Sequence, residues 1–329
     1  MKLIEGENTV TGIVKEIEKR VSKNGGKEYY SISLMDKEGV IPATMWSPPS
    51  VAEGDVVIAK IISKNKSGTI YYNIENIKID PNGNKYDFVK AASKIDDMIK
   101  NIIGMADNFQ DKKMSLLVKN IFNENLEAIK NSAAGSKIHH DYIGGLLQHS
   151  LGVAVIANSI VKAIECQKKI GVCPYTAPIN KDLVLTIAVL HDVGKIKELE
   201  TSSMGKISYT DEGNLLGHSF IGASLIQEEC KKIGLDEELT NLILNGVLSH
   251  MGKPEWGQVI PPKTIEAMIV EQSDYIDSRC FIYGQTISEI PENETYGRRF
   301  GIDYKIRSST LTKKEKEETE DEESLEFFS

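Results

Sequence analysis

The sequence predicts a multidomain protein: an N-terminal all-β barrel, an all-α helical bundle behind it, and a disordered acidic C-terminal tail. Three observations point there. Apolar residues alternate up to about residue 80 and then adopt helical spacing. All six histidines fall between residues 139 and 250. The net charge of −9 is unevenly spread, because Lys313 to Ser329 hold three Lys and eight Asp or Glu, a net of −5, which leaves −4 for the rest of the chain. At ~150 residues per domain, 329 residues fit about two domains. With 26% charged and 40% hydrophobic residues, a wholly disordered or membrane-embedded chain is excluded. The negative charge also argues against a broad basic surface for duplex DNA.

The elements follow in order. Met1 to Glu7 has no apolar core and predicts no secretory leader. Residues 1–80 read as five short strands: Val10, Gly12 and Val14 share one parity, as do Tyr30, Ile32 and Leu34, then Ile41, Ala43 and Met45, and the stretches Val56 to Ile62 and Ile70 to Ile79 follow. Turn signals separate them at Asn24-Gly25-Gly26, Asp36 to Gly39, Pro48-Pro49 and Lys66-Ser67-Gly68, the format of a small barrel. Residues 81–135 read as a helical linker of two or three helices, with Ile95, Met98, Ile99 and Ile102 on one stripe, able to serve a homo-oligomer interface. Residues 136–306 form the second domain, helical to about residue 280 and mixed from 283. Residues 307–329 are the charged tail. The densest apolar run, Leu183 to Leu190, is too short to span a bilayer, so no membrane partner is expected. Four cysteines without a CxxC pair point to reduced thiols and a cytoplasmic protein.

The histidines carry the chemistry. His149 lies on the apolar stripe Leu146, Val153, Ile156, Ile160, and His191 closes the run Leu183 to Leu190 and is followed by Asp192. His218 leads the stripe Ile221, Leu225, and His250 shares one with Ile243 and Val247. Asp274 follows Ala267 and Val270 on a helix whose opposite side (Ile265, Met268, Ile269, Ile276) is also apolar, so burial from both sides is expected. An unpaired buried charge costs several kcal/mol, on the order of a whole protein's margin of stability. One lone histidine on such a face is most simply a hydrogen-bonded core residue. Several helices each turning an imidazole or a carboxylate inward call for a shared cation, and imidazole plus carboxylate is the ordinary ligand set of Mn, Fe, Co or Zn.

The pattern His149, His191-Asp192, His218, His250, Asp274 resembles the HD-domain metal-dependent phosphohydrolases. Leu190-His191-Asp192-Val193-Gly194-Lys195 is similar to that family's signature segment. The stretch His139 to Leu151, Ser249-His250-Met251-Gly252 with Pro261-Pro262, and Asp274-Tyr275-Ile276-Asp277-Ser278 resemble the YhaM-type 3′→5′ exoribonucleases, in which an OB-fold precedes the HD domain. The likeness runs over about residues 8 to 305. The polar segment Glu198 to Gly217 has no detailed counterpart, and the acidic tail looks like an addition.

The resemblance implies two divalent ions, most often Mn, with Fe, Co, Zn or Mg as alternatives. His149, His191, Asp192 and Asp274 would hold one, and Asp192 would bridge to a second held by His218 and His250. Lys195 would neutralise a phosphate oxygen. His139 and His140 are candidates for phosphate contact or leaving-group protonation, and Asp277 for support of a ligand. Arg299, with Arg298, would guide a nucleic-acid backbone. On the barrel, Tyr29, Trp46 and Tyr71 fall out of phase with the inward residues and are candidates for base stacking, with Lys19, Arg20, Lys23 and Lys27 near phosphates. Residues 1–80 hold eleven basic and eleven acidic residues, so any basic face is local.

The implied function is hydrolysis of single-stranded RNA, with single-stranded DNA as a second substrate, to mononucleotides from the 3′ end. Two other readings stay open at this point. One is an HD phosphohydrolase of nucleotides or cyclic dinucleotides. The other is a single-strand-binding or replication-associated protein whose tail tip, Leu325, Phe327 and Phe328, docks a partner.

Overall fold

The computed structural model describes residues 3–22, 26–36, 38–66, 69–136, 140–172, 177–291, 293–299 and 302–308. Its contacts divide it into two units, Met1–Ala91 with Thr201–Lys206, and Ala92–Glu200 with Ile207–Ser329.

The first unit is a closed five-stranded barrel. Strands β1 (Gly6–Val21), β2 (Glu28–Asp36), β3 (Gly39–Met45), β4 (Val56–Lys66) and β5 (Thr69–Ile79) run in the order β1-β2-β3-β5-β4. Neighbours are antiparallel except for the parallel β3–β5 contact. The expected alternation fills the interior with Ile32, Leu34, Val57, Ala59 and Ile61. Long β1 serves two neighbours: its first half pairs with β4 and its second half with β2. A bulge between Val14 and Glu16 bends it there, and Ile13 and Val14 are both fully buried, which strict alternation did not anticipate.

The second unit is helical: α1 (Ile95–Asp107), α2 (Lys112–Glu124), α3 (Leu126–Asn131), α4 (Gly145–Lys169), α5 (Lys181–Leu190), α6 (Lys195–Glu198), α7 (Asp211–Ile233), α8 (Glu237–Ser249) and α9 (Ile265–Glu289). Asp111, Asn180, Thr210, Asp236 and Thr264 cap the starts of α2, α5, α7, α8 and α9 with side-chain oxygens, which meets backbone N–H groups the helices cannot satisfy themselves. Helix α5 is buried from Leu183 to Leu190 because α2, α4, α8 and α9 surround it. The segment read as a linker carries α1–α3, and these pack on α4, α5 and α7 within this unit.

Two expectations change. The bundle is not purely helical: β6 (Leu199–Thr201) pairs with β7 (Ile207–Tyr209), and β8 (Tyr296–Gly297) with β9 (Ile306–Arg307). The outer side of α9 is only partly buried: Ile269 is 1% exposed, but Met268 is 39% and Ile276 40% exposed. Among the described residues, α4 is long and apolar enough to match a membrane span by length and composition. That helix packs against α5 and α9 and carries a buried histidine, as a core helix does. Among the described residues Cys166, Cys230 and Cys280 are free thiols, and Cys173 lies outside them.

Candidate metal centre

Five helices bring the six predicted ligands to one place. His149 sits on α4 and Asp274 on α9. His191 and His250 are the residues that terminate α5 and α8. Asp192 follows His191, and His218 stands just after a break in α7 at Gly217. That glycine has φ +72°, a conformation side-chain-bearing residues avoid, and it starts a second helical stretch at His218. Asp192 lies at the centre. Its Oδ2 is 3.5 Å from His149 Nε2 and 3.4 Å from His191 Nε2, and its Oδ1 is 3.5 Å from His218 Nε2 and 3.4 Å from His250 Nε2. Asp274 Oδ1 is 3.1 Å from His149 Nε2.

The opposite nitrogen of each ring explains why the Nε2 atoms face inward. His191 Nδ1 donates to Ala188 O at 2.8 Å and His250 Nδ1 to Val247 O at 2.6 Å, each three residues back. Each thus satisfies a carbonyl left open at the end of its own helix. His149 Nδ1 donates to Asp277 Oδ2 at 2.7 Å, and His218 Nδ1 to Glu198 Oε1 at 2.9 Å. All four acceptors are oxygens without a proton, so all four Nδ1 atoms carry one, and it is Nε2 of each ring that turns to the centre. Glu198 Oε1 also accepts the backbone N–H of His218 at 3.0 Å, so one carboxylate caps the second half of α7 and aims its ring.

The arrangement fits divalent ions. Asp192 Oδ1 is buried without a hydrogen-bond partner, 3.5 and 3.4 Å from the Nε2 atoms of His218 and His250. Lone pairs crowded in this way repel one another unless a cation lies among them. The converging donors form overlapping triads, His149–His191–Asp192, His191–His250–Asp274 and Asp192–His218–His250, with His140–His149–Asp277 behind them. Without a cation His149 holds a second proton instead. Burial works against a charged His149, but Asp274 and Asp277 outweigh it and push its pKa up to about 10. Burial likewise opposes ionisation of Asp192, and Lys195, then His191, hold it well below the usual carboxylate range. Asp277 is lowered to about 2 against burial, chiefly by its bonds from His140 and His149.

The other predicted residues divide. Lys195 Nζ lies 2.6 Å from Asp192 Oδ2 and borders the cavities on both sides of the cluster. His140 is 3% exposed. It is buried behind His149, with Nε2 on Asp277 Oδ2 at 3.1 Å, Nδ1 3.1 Å from the Tyr142 hydroxyl, and its ring 4.1 Å from that of Phe281. His140 therefore braces Asp277, and Asp277 braces His149. His139 lies outside the described residues, as do Lys23 and the tail with Leu325, Phe327 and Phe328. Arg299 is held by both Glu289 oxygens at 2.8 and 2.9 Å, so its charge is already engaged. Asp274 is 18% exposed, because α9 borders a cavity there. On the barrel, the Tyr29 and Trp46 rings lie 5.5 Å apart, and Trp46 and Tyr71 are more than half exposed. Lys19 pairs with Glu28 at 2.8 Å, Arg20 pairs with Glu18, and Lys27 is exposed.

Sequence reasoning missed Glu198, Gly152, and a group of aromatic and basic residues at the cavity. Glu198 and His218 are 20 positions apart and meet only because β6 and β7 reverse the chain between them. Gly152 lies beside Asp277: a Cβ there would stand 2.2 Å from Oδ1, so only glycine lets that carboxylate reach His149. Its sequence signal is a glycine inside a helix, three residues after a ligand. On the α9 side, a cavity of about 560 Å³ is bordered by Asp192, His250 and Asp274, and also by Lys253, Trp256, Tyr275 and Arg279.

Residues 146–279 match the family model of the HD domain, a span that contains all six ligand candidates and Asp277. HD domains are generally metal-dependent hydrolases, which supports an enzyme of that class here. No solved structure matches the chain significantly.

Proposed function

We propose that the HD domain of this protein is the catalytic half of a metal-dependent 3′→5′ exonuclease that cleaves single-stranded RNA, and single-stranded DNA secondarily, to mononucleotides. The carrying observation is the shared Asp192 carboxylate, whose two oxygens each face a separate pair of imidazole Nε2 atoms. That division suits two ions, Mn first, held by His149, His191, Asp192 and Asp274 on one side and by Asp192, His218 and His250 on the other. When bound, such a pair lowers the pKa of water toward neutrality and stabilises charge on the attacking and leaving oxygens of a phosphodiester.

The chain's own groups complete the reading. Asp277 and Glu198 fix two rings in the tautomer that offers Nε2. Lys195 lines the cavity with its Nζ 2.6 Å from Asp192 Oδ2, and in this reading it would meet a non-bridging phosphate oxygen. The preference for a single strand rests on the barrel. Its five strands in the order β1-β2-β3-β5-β4 suit an OB-fold, and Tyr29 and Trp46 offer adjacent rings for bases. The 3′→5′ direction rests on the likeness to the YhaM-type enzymes alone.

The test is incubation of 5′-end-labelled RNA with the purified chain and Mn²⁺, beside chelator and Asp192→Ala controls. Stepwise shortening from the 3′ end with mononucleotide release, absent in both controls, is expected. Turnover of nucleotides or cyclic dinucleotides with RNA left intact would replace this reading with a small-molecule phosphohydrolase.

A further inference from the structure

The cavity that meets the metal-ligand candidates has a second chemistry in its lining. Trp256 and Tyr275 present parallel rings, 7° between planes and 6.2 Å between centroids. Lys253 Nζ lies 4.6 Å from the Trp256 ring centre, and the Arg279 guanidinium 5.1 Å from that of Tyr275. Both rings are substantially exposed, Trp256 at 41% and Tyr275 at 45%. Trp256 belongs to a short turn after α8 and Tyr275 follows Asp274 on α9, and both line the cavity that Asp192, His250 and Asp274 also line. Two large exposed rings with parallel faces and no apolar core to fill are poorly explained by packing.

We propose that Trp256 and Tyr275 form a shelf for the nucleobase of the nucleotide whose phosphate lies at the metal centre, with Lys253 and Arg279 meeting its neighbouring phosphates. This rests on the proposed phosphodiesterase reading and specifies how that site recognises its substrate. A purely phosphate-directed site needs cations and no aromatic faces. Aromatic faces bordering the same cavity as Asp192, His250 and Asp274 suit a ligand with a π-surface joined to a phosphate. Stacking accepts any base, so the shelf favours nucleotides over bare phosphoesters without selecting a sequence. Cations over ring faces keep the rings apart from apolar partners and supply charge where a backbone would run.

The experiment is calorimetric titration of the Mn²⁺-loaded full chain with adenosine 5′-monophosphate and, separately, with ribose 5-phosphate. The nucleotide should bind about 5- to 150-fold more tightly, the factor that one stacked base supplies. In Trp256→Ala and Tyr275→Ala that gap should fall toward unity while ribose 5-phosphate binds as before, and Trp256→Phe, which keeps a ring, should retain most of it. Equal binding of the two ligands by the unaltered protein, no measurable nucleotide binding, or a gap that survives both alanine variants would overturn the shelf. RNA degradation is read separately in the same preparations. Intact RNA with a gap that is present in the unaltered protein and lost in the alanine variants removes the exonuclease reading and leaves the shelf, whereas degraded RNA with no gap in the unaltered protein does the reverse.

Discussion

Each of the four imidazoles gives its Nδ1 proton to a fixed oxygen, and this settles which groups must move when a cation enters. His149 is the exception in charge: the Asp274 and Asp277 carboxylates favour a second proton on it, with a pKa of about 10, although burial opposes this. A proton on Nε2 occupies the lone pair a metal needs, so cation and proton compete there. Below that pKa the metal-free protein holds the proton, and metal binding expels it. Adding Mn²⁺ to metal-free protein at pH 7.5 should therefore release close to one proton from this site, read as the dependence of the binding heat on buffer ionisation enthalpy. His149→Gln should abolish that release, and an unchanged release would disprove the assignment. Gly152 gives a second test at this scale. An alanine Cβ would stand 2.2 Å from Asp277 Oδ1, so Gly152→Ala should displace the carboxylate that orients His149 and weaken Mn²⁺ binding about 10- to 100-fold. Combining it with Asp277→Ala should add little, since both changes break one contact. Additive losses in equilibrium dialysis would show that Gly152 acts elsewhere.

At the level of elements, the site is built from helix ends as much as from helix faces. His191 and His250 close α5 and α8 and bond back to carbonyls three residues earlier, so the negative ends of two helix dipoles point toward the cation position. The second half of α7 depends on Glu198, which accepts both the N–H and the Nδ1–H of His218. Glu198→Ala should cost about 1 kcal/mol of stability as a lost cap. It should also weaken binding of the ion on the His218–His250 side while the other side still loads, and two equally affected ions in a Mn²⁺ titration would argue against this division. These elements also show what local sequence could reveal. The ligands of α4, α7 and α8 were visible because they fall on apolar helical stripes, and His191 because it ends one. The barrel strands were visible through their alternation, except at the bulge where Ile13 and Val14 both turn inward. His140 had the right residue type, but its place behind His149 is set by the chain path into α4 and by Phe281 on α9, which no local pattern contains. Glu198 and the Trp256–Tyr275 shelf depend on the same long-range returns of the chain.

Across the whole molecule, two cores share one chain, and only one of them should respond to metal. Asp192, Asp274, Asp277 and Glu198 converge on one cluster, so part of the net charge of −9 is gathered where a cation would neutralise it. The cluster joins α4, the ends of α5 and α8, α7 and α9, so a bound ion ties together elements that must all separate when this unit unfolds. The barrel has its own interior of Ile32, Leu34, Val57, Ala59 and Ile61 and contributes none of the six ligands. A ligand that binds only the folded state at about 100 times its Kd stabilises by about 2.7 kcal/mol. For a helical unit of this size that corresponds to a rise in Tm of about 5–11 °C. Scanning calorimetry of the full chain should therefore show two transitions, of which Mn²⁺ raises one and chelator returns it, while the barrel transition stays in place. Asp192→Asn should remove the shift, because that side chain serves both sets of donors. A barrel transition that moves equally with Mn²⁺, or a shift that persists in Asp192→Asn, would show that the stabilising ion sits elsewhere.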